Sequence, residues 1–176
     1  MLASFNINFS FSGITLHYKL QYMKKILLSV SILFFFATAM AQIENPVKWT
    51  FSSKRIKGDK DKYELHMTAV LDKKWHIYAQ DAGDGPEPTS FSFDKNPLFK
   101  IDEKVAEIGT LEKQYDPNFR STLKFYSGKV DFVQKIKMKA QVKTMAKGKI
   151  TYMVCNDKKC LPPKSVPFSI KIDPKA

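Results

Sequence analysis

An all-β fold, an antiparallel β-sandwich in a single domain, is the class that residues 42–176 predict, and three observations predict it. Apolar and polar residues alternate with a period of two along nearly the whole segment. No stretch after Gln42 sustains a 3.6-residue apolar period. Gly, Pro, Asn and Asp interrupt the alternating runs at short intervals. Successive strand residues point to opposite faces, so alternation marks a half-buried strand, whereas a helix would repeat every three to four residues. Eight or nine short strands separated by turn signals suit an immunoglobulin-like sandwich.

The elements follow in order. VKWTFSSKRI (47–56) and KYELHMTAVL (62–71) alternate and are split by the turn residues Gly58 and Asp59. WHIYA (75–79) is a short aromatic strand, and DAGDGPEPT (81–89), with two Gly and two Pro, is a long loop. SFSFD (90–94) alternates again, while FKIDEKVAEIG (99–109) and LKFYSG (123–128) alternate less regularly. KVDFVQKIKMKA (129–140) places Val130, Phe132, Gln134, Ile136 and Met138 on one face. KGKITYMV (147–154) and SVPFSIKI (165–172) complete the set, and residues 173–176 form a short polar tail. There is no internal repeat and no linker.

The segment before this domain reads as targeting sequence. From Met23 the chain runs MKKILLSVSILFFFATAMAQ. Lys24 and Lys25 form a positive start, residues 26–38 an uncharged apolar core, and Ala39-Met40-Ala41 a small-x-small site. That is the form of a secretory signal peptide spanning 23–41, cleaved after Ala41. The alternative is an uncleaved anchor, for which the apolar run is short. Residues 1–22 contain no acidic residue and no helix or strand pattern, and read as an upstream extension outside the fold. The domain is then 42–176, and the protein is expected in the periplasm or otherwise exported. Nothing indicates a second, membrane-embedded domain.

Over residues 42–176, 26 basic against 17 acidic residues leave a net charge of +9. Only Arg55 and Arg120 are arginines, and the lysines are scattered through every segment. Specific nucleic-acid binders cluster their basic residues and favour Arg for base contacts, so this is a solvated basic surface and no nucleic acid is expected.

Chemistry concentrates in YMVCNDKKCLPP (152–163), which holds both cysteines, Cys155 and Cys160, with four residues between them. Three uses are open: a structural staple, half of a metal site, or a redox pair. A 135-residue domain has enough core to fold without a bridge, and so short a loop removes little unfolded-state entropy. A zinc or copper site, or a haem-handling module, would need His66 and His76, which lie far from the cysteines in sequence without a metal-ligand spacing. The alternating runs on either side put the pair at a hairpin tip, where another thiolate can reach an exposed disulfide. Lys158 and Lys159 favour a Cys160 thiolate and Asp157 opposes it. Pro162 and Pro163 lack an N–H and fix φ, so Cys160 leads into a stiff segment. The spacing is not the two-residue spacing of a thioredoxin site, so a thioredoxin fold is not expected.

VCNDKKCLPPKSVPFSI resembles the signature of the N-terminal, periplasmic domain of the thiol:disulfide interchange protein DsbD. The matching residues are Cys155, Cys160, Leu161, Pro162, Pro163, Val166 and Pro167. Trp75-His76-Ile77-Tyr78, GPEPTSFSF (85–93) and YDPNFRSTLKFYSG (115–128) resemble further family segments, so the likeness runs from about Val47 to Ile172. One departure is the loop, shorter by one residue than in the best-known members. The resemblance implies an immunoglobulin-like fold with the redox pair on adjacent strands. It implies that Cys160 forms mixed disulfides with partners and that Cys155 resolves them. It implies a cap loop carrying an aromatic residue, for which Phe119 with Asp116 beside it is the match, and a site lined by His76, Tyr78, Pro162 and Pro163. The alternatives are an ordinary packed strand residue for His76 and a core or loop anchor for Phe119.

The resemblance further implies protein-disulfide reductase chemistry of the kind tied to cytochrome c biogenesis. Its partners would be thioredoxin-like domains, oxidised periplasmic clients and a separate membrane electron donor. The domain is expected to act as a monomer with no metal or organic cofactor, since the disulfide itself carries two electrons. The rival reading is a secreted, non-enzymatic β-sandwich binding module whose disulfide is only structural.

Overall fold

A computed structural model describes residues 21–26, 44–117 and 119–174. The chain divides into two compact units, residues 1–44 and 45–176. In the first, residues 21–26 are helical. The expected extension over 1–22, signal peptide over 23–41 and cleavage after Ala41 fall almost entirely outside the described residues. Among the described residues no helix is long and apolar enough to cross a membrane.

The second unit is all antiparallel β. Its strands are β1 (Val47–Arg55), β2 (Lys62–Leu71), β3 (His76–Tyr78), β4 (Ser90–Phe93), β5 (Phe99–Ile108) and β6 (Glu112–Asp116). They continue with β7 (Ser121–Ser127), β8 (Lys129–Met138), β9 (Thr144–Tyr152), β10 (Val154–Cys155) and β11 (Lys164–Ile172). Sheet I has the order β1-β2-β8-β5, sheet II β10-β3-β7-β6 and sheet III β11-β9-β4. Side chains from all three share one buried cluster, with Leu65, Met67, Phe132 and Ile136 from sheet I, Ile77, Tyr126 and Val154 from sheet II, and Ile150, Phe168 and Ile170 from sheet III. The alternation therefore has a single cause: each strand buries one face against the facing sheet.

Two details go beyond the sequence pattern. Gln134 occupies an apolar position of β8 and is buried. Its amide donates to the carbonyls of Asp102 (3.0 Å), Glu103 (3.2 Å) and Lys135 (2.8 Å), where β5 bulges between Asp102 and Ala106. The amide satisfies carbonyls that the bulge removes from the ladder. The second detail is β6, EKQYD, which the alternation did not mark as a strand. It pairs with β7 from Glu112↔Phe125 to Asp116↔Ser121 and is exposed along most of its length. An edge strand with little burial has no need of an apolar face.

Candidate functional site

Sheet II has two faces with different duties. Ile77, Tyr126 and Val154 face the main core. Their neighbours in sequence point the other way by the pleat, and Tyr78, Leu123, Phe125 and Cys155 form a second buried cluster with Ala82. The site is built on this outer face.

The chain reaches it by changing sheets. Tyr152 pairs with Lys164 in sheet III, but two residues later Val154 and Cys155 pair with Ile77 and His76 in sheet II. Cys155 is thus held between a strand and the returning loop, where it forms an antiparallel bridge to Cys160. The two are disulfide-bonded, with Cα atoms 4.0 Å apart. The pair flanks a tight antiparallel turn, as expected, but the expectation that both sulfurs are exposed there is corrected. Cys155 is 2% exposed, whereas Cys160 is exposed. The difference comes from the sheet change at Met153, which puts the first cysteine into sheet II, on the face it shares with Tyr78, Leu123 and Phe125, before the loop turns outward.

A cavity of about 340 Å³ opens beside the disulfide, and His76, Tyr78, Asp116, Phe119, Cys155 and Cys160 all line it. Pro162 and Pro163, expected at the site, do not line it; they lie on the exposed segment after Cys160. Leu123, Phe125, Gln114 and Asn156 line it without having been expected. The register explains the first three, since Gln114 lies opposite Leu123 and Glu112 opposite Phe125, on the face that carries Tyr78. His66 is elsewhere, on sheet I, where its Nδ1 is 2.7 Å from Asp131 Oδ2. The structure does not bring it to His76, so the two-Cys, two-His set has no geometric basis.

The polar contacts separate the two sulfurs. Tyr78 Oη donates to Cys155 Sγ at 3.3 Å. Burial, followed by the charge of Asp116, raises the Tyr78 pKa, so the phenol keeps its proton and remains a donor. His76 packs on Phe125, with centroids 4.4 Å apart, and edge-on to Tyr78 at 5.4 Å. Burial lowers its pKa against the opposing charges of Glu112 and Asp157, which favours the neutral imidazole.

The cap is fixed from two sides. Phe119 N donates to Asp116 Oδ1 at 3.4 Å, which ties Phe119 back to the end of β6. The Phe119 ring lies against Gly85, where φ is +125° and an added Cβ would meet Cδ1 at 2.1 Å. Only glycine fits that backbone and leaves room for the ring. Loop 81–89 is in turn anchored to β3, because Thr89 Oγ1 donates to the Tyr78 carbonyl at 2.5 Å. Phe119 remains 39% exposed.

A β-sandwich that carries a disulfide with one buried and one exposed cysteine, beside an aromatic cap and a phenol donor, defines the class of thiol–disulfide exchange domains. Residues 41–171 match the profile of the family described as "Thiol:disulfide interchange protein DsbD, N-terminal". The chain belongs to that family, whose domain is an immunoglobulin-like β-sandwich. Among solved structures it is similar to the reduced DsbD N-terminal domain of Neisseria meningitidis, at 15% identity and TM-score 0.48, covering 78% of this chain and 94% of that one. It is also similar to the N-terminal periplasmic domain of ScsB from Proteus mirabilis (13%, TM-score 0.48, covering 73% and 46%). A third similarity is to the Neisseria meningitidis complex of the DsbD and PilB N-terminal domains (13%, TM-score 0.46, covering 75% and 88%). No curated protein sequence matches the chain.

Proposed function

We propose that the protein is an exported thiol–disulfide exchange domain that passes reducing equivalents between a thioredoxin-like or membrane electron donor and oxidised clients. Membership of the DsbD N-terminal family supports the exchange chemistry. The observation that carries the roles is the asymmetry of the disulfide. An incoming thiolate reaches exposed Cys160 and not buried Cys155. It attacks Cys160 Sγ, a new S–S bond forms, and Cys155 leaves as a thiolate beside the Tyr78 hydroxyl. The partner's second thiol then attacks the mixed disulfide, releasing Cys160 and leaving the domain as a dithiol that holds two more electrons.

Delivery runs in the opposite direction. The Cys160 thiolate attacks a client disulfide, and Cys155 then attacks Cys160 Sγ and expels the client as a thiol. Phe119 limits which thiols reach the pair, and Tyr78 stabilises the departing sulfur. The domain works with a separately supplied membrane donor, and the redox groups are its own two sulfurs.

Trapping tests the roles. With a thioredoxin-like protein that lacks its own second cysteine and is activated as a thionitrobenzoate disulfide, Cys155→Ala accumulates a stable mixed disulfide through Cys160. Cys160→Ala reacts at least about tenfold more slowly, since its remaining thiol is buried. Trapping by Cys160→Ala alone would reverse the assignment.

A further inference from the structure

We infer that Asn156 is a positioning residue that pre-forms the turn across which Cys155 and Cys160 close; the inference rests on the exchange reading and deepens it. Four residues separate the cysteines, Asn156-Asp157-Lys158-Lys159. Asn156 bonds to two of them, Lys158 and Lys159, through both its backbone and its side chain. Its backbone N–H donates to the Lys159 carbonyl at 2.9 Å. Its side-chain Oδ1 accepts from Lys158 N at 2.9 Å and from Lys159 N at 3.0 Å. Immediately outside the cysteines, Leu161 N donates to the Val154 carbonyl at 2.9 Å. The turn is therefore closed by hydrogen bonds on both sides of the bridge, and none of them uses a sulfur.

A γ-carbonyl that accepts from residues two and three ahead is the device by which Asn and Asp set tight turns. The consequence falls on one step. In delivery, the Cys155 thiolate attacks Cys160 Sγ of the mixed disulfide. The Cys155–Cys160 bond forms, the bond from Cys160 to the client sulfur breaks, and the client leaves as a thiolate that takes a proton from water. Two electrons pass from the domain dithiol to the client. The reaction is intramolecular, so its rate and equilibrium depend on how well the loop keeps the two sulfurs together once no covalent bond does so. Asn156 lines the cavity beside the disulfide but is assigned no contact with the partner; it acts through the position of Cys160.

The test compares wild type, Asn156→Ala and Asn156→Asp, with glutathione as the probe. Two quantities are read: the equilibrium between dithiol and disulfide in glutathione buffers, and the rate at which a glutathione adduct on Cys160 closes to the internal disulfide. Loss of the two acceptor bonds in Asn156→Ala slows closure and weakens its equilibrium on the order of tenfold. For a two-electron couple that raises the reduction potential by about 30 mV. Asn156→Asp keeps the acceptor and stays within about threefold of wild type. If wild type exchanges and Asn156→Ala closes with the same rate and equilibrium, the proposal is overturned alone, even where its thermal stability falls. A wild-type disulfide that no thiol opens in the folded protein overturns the exchange reading, and this proposal with it.

Discussion

Tyr78 and His76 flank Ile77 on β3 and line the cavity beside the disulfide with different chemistry. The Tyr78 phenol donates to Cys155, the sulfur that leaves in the proposed exchange. Tyr78→Phe removes that bond and keeps the ring, so reduction by dithiothreitol slows on the order of tenfold with the melting temperature nearly unchanged. A wild-type rate in this variant excludes leaving-group assistance by Tyr78. His76 makes a prediction in pH. Its folded pKa lies below the unfolded value near 6.5, chiefly through burial. At pH values below about 6.5 the unfolded chain therefore binds more protons at this site than the folded one. The stability that neutral His76 contributes is present above that pH and is lost as pH falls through the folded pKa. Thermal melts across pH 4–8 show a smaller acid-side loss for His76→Phe than for wild type; equal slopes would contradict this. His76, Tyr78, Asp116 and Phe119 were readable through the family likeness. Leu123 and Phe125 were not: their alternation marked a strand but not which face it would offer. Asn156 was visible only as part of a polar loop, because its function depends on where the neighbouring N–H groups point.

The elements that place the site are a sheet change, a cap turn and the glycine loop beneath that turn. Gly85→Ala tests the cap. The added methyl needs the space of the Phe119 ring on a backbone at φ +125°. The ring is displaced, and the disulfide reacts several-fold faster with small thiols, at a cost of about 1–3 kcal/mol in stability. Unchanged thiol reactivity would show that Phe119 does not shield the pair. Gly148 is the matching control. Its added Cβ would meet the Ser92 carbonyl at 2.0 Å and the Phe168 ring at 2.6 Å, away from the disulfide. Gly148→Ala destabilises by about 1–3 kcal/mol while the folded protein keeps its wild-type redox equilibrium. The strands around both glycines were legible because burial on one face writes a period of two into the sequence. The sheet change at Met153 was not, because β9 and β10 read as a single alternating run and only pairing with β3 separates them. β6 was hidden for the opposite reason: it buries almost nothing.

Across the whole molecule, the shared core makes the disulfide expendable for folding. Phe132 is fully buried at its centre, and Phe132→Ala costs about 3–5 kcal/mol. The bridge closes a sequence separation of 5, which is worth about 2 kcal/mol in the chain-entropy account. Reduced protein therefore still melts cooperatively, about 5–10 °C below the oxidised form. Loss of the folded state on reduction would make the bridge a staple. The fold class was legible because it follows from burial pattern alone; the division of labour between the two faces of sheet II was not, because it depends on three sheets meeting. The central claim is that the Cys155–Cys160 disulfide works in the native state. Its most direct test is the rate at which a reduced thioredoxin-like protein opens that disulfide in the folded protein, compared with the rate of global unfolding under the same conditions. The account predicts reduction proportional to thioredoxin concentration and far faster than unfolding. Reduction that saturates at the unfolding rate, or occurs only in denaturant, would contradict it.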